Sequence, residues 1–140
     1  MNLIESIEYL NKSLKEIDFK ETRSQLRGAE GHASSVYFKA YGKLLLHGFT
    51  FETREYHPPP DPVNAMLGFA YMLVFGEITG LLSAFGLDPY IGFLHDLRYG
   101  RESLACDMIE ELRSPIADRL VMYLINKKAV KISQFTKTKN

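Results

Sequence analysis

The feature that most constrains this chain is a long apolar run at its centre. Ala65–Phe85 contains a single charged residue, Glu77. Asp61-Pro62 precedes the run and combines an N-cap residue with a proline suited to the first helical position. Gly86 follows the run, and glycine is the usual residue just after a helix. The run therefore predicts one long central helix against which the other segments must pack.

A run of this length is also long enough to span a bilayer. Glu77 lies near its middle, where a carboxylate is costly in lipid, and no basic cluster flanks the run. We therefore favour a core helix buried by its neighbours and expect no membrane association. Gly76 and Gly80 then predict a close contact with another helix.

The segments on both sides of the run also predict helices, and the expected fold class is all-α. Ser103 predicts a helix start and Ser114-Pro115 the start of another helix that runs to Lys127. The chain has room for one core, so residues 1–140 are expected to form a single helical domain. Apolar residues at helical spacing predict a second helix over Thr22–Leu46. The same spacing predicts a first helix, marked by Leu3, Ile4, Ile7, Leu10, Leu14 and Ile17.

Composition narrows the function only a little. The 17 Lys and Arg balance the 17 Asp and Glu, so a nucleic-acid binder of this kind needs local basic patches. The single Cys106 excludes an intrachain disulfide and a cysteine-rich zinc site. The amino-terminal segment has no signal-peptide pattern, and together these observations predict a cytoplasmic protein.

A candidate site lies between His95 and Glu110. Asp107 and Glu110 are spaced i, i+3, which places both carboxylates on one face of a helix. Carboxylates with one imidazole are suitable ligands for Mg²⁺ or Mn²⁺, the ions used in phosphodiester chemistry. The alternatives are a solvated acidic helix face and a histidine that is satisfied within the core.

Three arginines accompany the candidate site. They are either surface charges or contacts to the DNA phosphates, which hold DNA without reading its sequence. Lysines near the carboxyl end extend this basic track. The arginines are Arg98, Arg101 and Arg113, and the lysines are Lys127, Lys128, Lys131, Lys137 and Lys139.

Three sequence blocks resemble one known family. They are RGAEGHASSVYF at 27–38, PPPDPVNAMLGFAY at 58–71 and GLDPYIGFLHDLRYGRESLACDMIEELR at 86–113. In this order they resemble the CRISPR-associated integrase family over about Leu26–Asn126. This integrase is the first of the two universal adaptation proteins of CRISPR systems. The resemblance implies the helical catalytic domain of the family, without the β-rich domain with which full members begin.

The resemblance also implies roles for individual residues. Glu30 matches the glutamate of an E-G-x-A block, His95 the histidine of a G-F-L-H block, and Glu110 an acidic ligand; all three are metal ligands in the family. Asp107 matches an aspartate close to the site and completes the catalytic set. Whether Asp107 or Glu110 coordinates more directly stays open at this stage.

The activity implied is spacer insertion in antiviral defence. A DNA 3′-hydroxyl attacks a phosphodiester at a CRISPR repeat, and water in its place gives nicking. The implied partners are spacer, repeat and branched DNA, the smaller CRISPR adaptation protein two, and further copies of the chain. Ser35 and Pro60 stand where the family often has a basic residue. The alternative is therefore a non-catalytic remnant that associates with DNA or with full-length integrase, and an unrelated metal-dependent hydrolase comes third.

Overall fold

The computed structural model describes residues 1–20 and 22–136, and within these ranges it contains helices and no strand. The predicted all-α fold class is confirmed. Helix α1 spans Leu3–Glu16 and is followed by a 3₁₀ turn, Ile17–Phe19. The other elements are α2, Arg23–Leu44; α3, Pro62–Ala84; α4, Ser103–Leu112; a π-helical segment, Arg113–Asp118; α5, Arg119–Asn126; and a 3₁₀ turn, Ile132–Gln134.

Polar caps fix where the first three helices begin. Thr22 accepts the backbone N–H of Gln25 at the start of α2, and Asp61 accepts that of Asn64 at 2.8 Å at the start of α3. Each bond satisfies one of the donors that a helix start leaves unpaired. Gly86, with φ of 73°, follows the end of α3. The predicted start and stop of the central helix are therefore confirmed.

The core lies where α3 packs against α4 and α5. Its most deeply buried side chains are apolar, and the carboxy-terminal half of α2 and the segment after it add aromatic residues. This packing carries α4, and with it Asp107 and Glu110, against the middle of α3. The core residues with an exposed fraction of at most 3% include Tyr41, Val63, Leu67, Ala105, Ile109, Ala117, Val121 and Ile125.

Helix α3 is covered on one side only, and the expectation of a helix buried by its neighbours was wrong. Only 28% of its most apolar 18-residue window is buried, and Phe69 and Met72 are more than half exposed. A Cβ atom added at Gly76 or Gly80 would meet no atom of residues 1–20 and 22–136 within 4 Å, so the predicted helix contact is not found there. Among the described residues, α4 and α5 reach only one face of α3.

Length and composition alone would allow α3 to cross a membrane. A core helix passes the same test, and the side of α3 that packs on α4 and α5 is buried. The absence of membrane association stays a prediction.

The helices after residue 102 differ from the sequence prediction. Ser103 is the first residue of α4 rather than its cap, and its hydroxyl donates to the carbonyl oxygen of Asp96 at 3.0 Å. No helix starts at Ser114-Pro115, because α4 continues into α5 through the π-helical segment. A π-helix bonds i to i+5, and its wider turn accommodates the proline ring that would break an α-helix.

Helix α1 packs along α2, but its apolar stripe is mostly uncovered. Ser6 is its buried residue, whereas Ile4, Ile7 and Leu14 are more than half exposed. The predicted helix is present, and the side that contacts α2 is not the one that carries most of the apolar residues.

Candidate functional site

A cavity of about 520 Å³ lies between α2, the loop before α4 and the continuous helix over 103–126, and we call it the site cavity. Glu30 reaches it from α2, His95 from the loop and Glu110 from α4. The structure therefore brings together three of the four predicted catalytic residues from three separate segments. Asp107, the fourth, does not line the cavity but forms a hydrogen bond with the ring of His95.

Asp107 holds the imidazole of His95 in place. Its Oδ1 lies 2.6 Å from Nδ1 of His95, and its carboxylate also accepts the backbone N–H groups of Phe93, Leu94 and His95. Burial tends to raise the pKa of Asp107, but the hydrogen bonds from the ring and the backbone outweigh it and keep that pKa below the usual 3.8. The ionised carboxylate accepts from Nδ1–H, which leaves Nε2 as the nitrogen available to a metal ion.

Gly92 allows the loop to approach α4 this closely. A Cβ atom at Gly92 would lie 2.7 Å from Cβ of Ser103 and 2.9 Å from Oδ2 of Asp107. Only glycine therefore lets three successive N–H groups reach one carboxylate. The sequence analysis did not assign this role to Gly92. The sequence feature that could have indicated this role is that Gly92 directly precedes the residues whose backbone N–H groups donate to Asp107.

Two arginines of α2 fasten the same loop from the other side. Arg27 donates to the carbonyl oxygen of Leu94 at 2.9 Å and to Asp96 at 3.0 Å, and Arg23 lies 3.5 Å from Asp96. These groups are exposed, so each ion pair stabilises the fold only weakly. Their consequence is positional, because they hold the loop beside the helix that carries Glu30. The sequence analysis missed both arginines.

Glu110 is paired with Arg113. The carboxylate accepts from Nη1 of Arg113 at 2.8 Å, and both side chains are about one-third exposed. Burial raises the pKa of Glu110; Arg113 opposes this shift, and the negative charge of Glu30 adds to it. Glu30 is exposed and makes no hydrogen bond or ion pair within the described ranges. The two carboxylates thus face one cavity and repel each other.

The donor set fits a divalent cation chemically, but the side chains do not yet converge on one. Two mutually repelling carboxylates and a free imidazole nitrogen are suitable ligands for Mg²⁺ or Mn²⁺. In the part of the chain that the structure describes, no three His, Cys, Asp or Glu side chains are close enough to share an ion. Glu110 lines the cavity but is paired with Arg113, so acting as a ligand requires its carboxylate to turn from Arg113 toward Glu30 and His95. The assignment of Glu30, His95 and Glu110 as metal ligands stays a prediction.

The floor of the site cavity is a buried carboxylate surrounded by tyrosines. Asp118, 2% exposed, accepts the hydroxyls of Tyr71 at 2.5 Å and Tyr37 at 2.9 Å through its side chain, and that of Tyr41 at 2.9 Å through its carbonyl oxygen. We call these four residues the Asp118 network. Burial raises the pKa of Asp118, although the hydroxyls of Tyr71 and Tyr37 and nearby arginines lower it. Burial, followed by the charge of Asp118, also raises the pKa of Tyr37 to about 12.

Tyr71 belongs to the core and is 7% exposed. Asp118 was not predicted from the sequence, where its signal was an isolated aspartate within an apolar helical stretch. Asn64 is a structural hydrogen bonder at the start of α3. It is 1% exposed and bonds to Thr53, Arg54, Glu55 and Asp61.

The predicted DNA-contacting cations occupy different environments. Arg98 is exposed on the loop, Arg101 is partly buried, and Arg113 points into the site cavity. Lys127, Lys128 and Lys131 are exposed near the end of α5, whereas Lys137 and Lys139 lie outside the described residues. Contact of these side chains with DNA stays a prediction.

Comparison with known proteins places these observations in a family. The sequence pattern described as "CRISPR associated protein Cas1" matches residues 1–140. The chain is 44% identical to CRISPR-associated endonuclease Cas1 3 of Thermus thermophilus over 134 residues, which is 96% of this chain and 40% of that protein. It is 41% identical to CRISPR-associated endonuclease Cas1 of Leptospira interrogans, covering 94% of this chain and 52% of that one.

Solved structures share the fold. A Cas1 protein from Thermotoga maritima superposes with a TM-score of 0.86 at 25% identity, over 98% of this chain and 48% of that one. A partial Cas6-RT-Cas1–Cas2 complex gives 0.90 at 27% identity, over 97% and 41%, and a casposase bound to integration product gives 0.82 at 25%, over 96% and 42%. This chain spans about half, or less, of the length of each of these relatives. Because the family pattern covers the whole chain, the protein belongs to the CRISPR-associated Cas1 family.

Proposed function

We propose that this chain is the helical catalytic domain of a divalent-metal-dependent DNA endonuclease and integrase of CRISPR adaptation. The observation that carries the proposal is that Glu30, His95 and Glu110 line one cavity although they come from three segments. The relatives named above as endonucleases support the nuclease class. The casposase bound to integration product supports DNA joining as the reaction.

Glu30, Glu110 and Nε2 of His95 would hold the ion, which we propose to be Mg²⁺ or Mn²⁺. When bound, the ion supplies Lewis-acid polarisation of a phosphodiester and charge stabilisation of the attacking and leaving oxygens. Asp107 keeps the His95 ring in the tautomer that exposes Nε2. With Glu110 held as a ligand, the Arg113 guanidinium would lack its carboxylate partner and would be free to contact a DNA phosphate.

The proposed partners are supported by what the related structures contain. The Cas6-RT-Cas1–Cas2 complexes support the smaller adaptation protein as a partner, and the casposase bound to integration product supports DNA. Spacer and repeat DNA and further copies of the family protein are part of the proposal. Arg98, Arg101 and Arg113 are our candidates for the phosphate contacts. A cytoplasmic location and a role in antiviral defence complete the proposal.

The test is Mn²⁺- or Mg²⁺-dependent cleavage and strand transfer on branched DNA. Glu30→Gln, His95→Asn and Glu110→Gln should each lower turnover by about a thousandfold or more, since each removes one ligand. DNA binding without metal should change little. Glu111→Gln is the matched control, because Glu111 is an exposed carboxylate on the same turn of α4 and should keep full turnover. Wild-type turnover in all three variants would rule out the catalytic assignment.

The second candidate is a non-catalytic remnant that associates with DNA or with a full-length family member. The observation that favours it is the ion pair between Glu110 and Arg113, because it engages a carboxylate that the first proposal needs as a metal ligand. Titration of the purified chain with Mn²⁺ separates the two proposals. A saturable site that is lost in Glu110→Gln supports the enzyme, and a chain without such a site supports the remnant.

A further inference from the structure

The Asp118 network joins the helices that carry the proposed ligands. The hydroxyl of Tyr37, on α2, is within hydrogen-bond distance of both Asp118 at 2.9 Å and Ser114 at 3.1 Å. Tyr41, one turn later on α2, donates to the carbonyl oxygen of Asp118, and Tyr71 connects the same carboxylate to α3. One buried aspartate therefore accepts hydrogen bonds from two neighbouring helices.

The spacing of residues places this network directly beside the proposed ligands. On α2, Tyr37 follows Glu30 by seven residues, or about two turns. On the continuous helix over 103–126, Asp118 follows Glu110 by eight residues, one more than two turns contain. The π-helical segment Arg113–Asp118 takes up the additional residue, so that Asp118 and Glu110 face the same cavity. Without it, Asp118 would point roughly 80° away.

The other connections to Glu30 are weak. The glutamate itself is exposed, and Arg23 and Arg27 reach the loop through exposed ion pairs. Exposed pairs hold geometry poorly, whereas buried and fully bonded polar networks specify one arrangement. Aromatic packing holds the carboxy-terminal half of α2 in the core, and among the polar contacts the buried bonds of Asp118 are the ones that fix how far Glu30 lies from Glu110.

We propose that Asp118 is a positioning residue: its carboxylate, bonded to Tyr37 and Tyr71, sets the distance between α2 and α4 and so brings Glu30 within reach of an ion held by Glu110 and His95. This inference rests on the proposed metal-dependent function. It extends that function by assigning a role to a residue that contacts none of the three proposed ligands.

The first measurement is the separation of the two helices without any metal. Spin labels at Ser35→Cys on α2 and Glu111→Cys on α4, both exposed positions, are placed in a Cys106→Ser background. Asp118→Asn and Tyr37→Phe should each broaden or displace the distance distribution. Ile125→Val is the matched control, since Ile125 is fully buried on the same helix but lies outside the site cavity. It should lower thermal stability and leave the distribution unchanged.

The second measurement is Mn²⁺ affinity in the unlabelled chain. Asp118→Asn should weaken binding about tenfold, the lower end of the effect seen when a group bonded to a ligand is lost, because Asp118 acts through the helix separation and not on a ligand directly. Ile125→Val should keep wild-type affinity. An unchanged distance distribution in Asp118→Asn, or equal losses of affinity in Asp118→Asn and Ile125→Val, would overturn the positioning role. A wild-type chain that binds no Mn²⁺ would overturn the proposed function, and the distances would still decide whether Asp118 sets the helix separation.

Discussion

The two sides of the site cavity differ in how firmly their side chains are held. On one side, Asp107 fixes the His95 ring and also accepts backbone N–H groups of the loop that carries His95. On the other side, Glu110 is paired with Arg113, and Glu30 is exposed. Residues within about 15 positions of one another build the first side. On the second side the position of Glu30 relative to Glu110 depends on contacts between α2 and the π-helical segment, which are distant in sequence. The difference shows that the His95 side is fixed by local hydrogen bonds while the two carboxylates are not held together, and our proposal requires them to gather on the ion.

The largest effect should separate Asp107 from Glu110, which both lie on α4. Glu110→Gln removes a proposed ligand, and its activity should not return at high Mn²⁺. Asp107→Asn leaves the ligands in place but loosens His95, so Mn²⁺ affinity should fall about 10- to 100-fold and turnover should recover as Mn²⁺ is raised. Turnover measured across a Mn²⁺ series checks this contrast. Identical rescue curves for the two variants would contradict the different roles that the structure gives them.

A glycine pair tests whether close packing fixes the His95 side. Gly92→Ala introduces contacts below 3.0 Å with Ser103 and Asp107, so the free energy of unfolding should fall by about 1–3 kcal/mol. Gly76→Ala, on the exposed face of α3, meets no atom and should stabilise the chain by about 0.5–1 kcal/mol. Chemical denaturation measures both changes. Equal effects at the two positions would show that the loop is not packed tightly on α4.

The smallest effect is a loss of folding stability at alkaline pH, and it concerns Tyr37 at the floor of the site cavity. Burial raises the pKa of Tyr37 from 10.0 to about 12, so the folded chain retains a proton that the unfolded chain loses. The resulting stabilisation is complete below pH 10.0 and disappears as the pH rises toward about 12. Tyrosinate absorbance of the wild-type chain and of Tyr37→Phe should differ only as the pH approaches about 12, and Tyr37→Phe should flatten the loss of stability in this window. A difference between the two absorbance curves that is already complete at about pH 10, the ordinary pKa of a tyrosine, would mean that the floor is open to water.

Local signals made much of the fold predictable. Asp61-Pro62 and Gly86 marked α3 because a cap, a proline and a glycine act within one turn. The block around His95 and the i, i+3 spacing of Asp107 and Glu110 indicated a site, because these patterns also involve only residues close together in the sequence. The helix boundary at Ser114-Pro115 was predicted wrongly, because a π-turn depends on packing that no local signal reveals.

By itself the sequence determined the helices, the family resemblance and the identity of the candidate ligands, since periodicity, caps and motif order are properties of neighbouring residues. Only the tertiary structure decided that Asp107 orients His95 while Glu110 faces the cavity, because the roles of these two carboxylates depend on a loop that must dock through Gly92. It alone revealed that Asp118 links α2 and α3 to the continuous helix over 103–126. A buried carboxylate acquires such a role from the hydroxyls that surround it, and those come from helices distant in the chain.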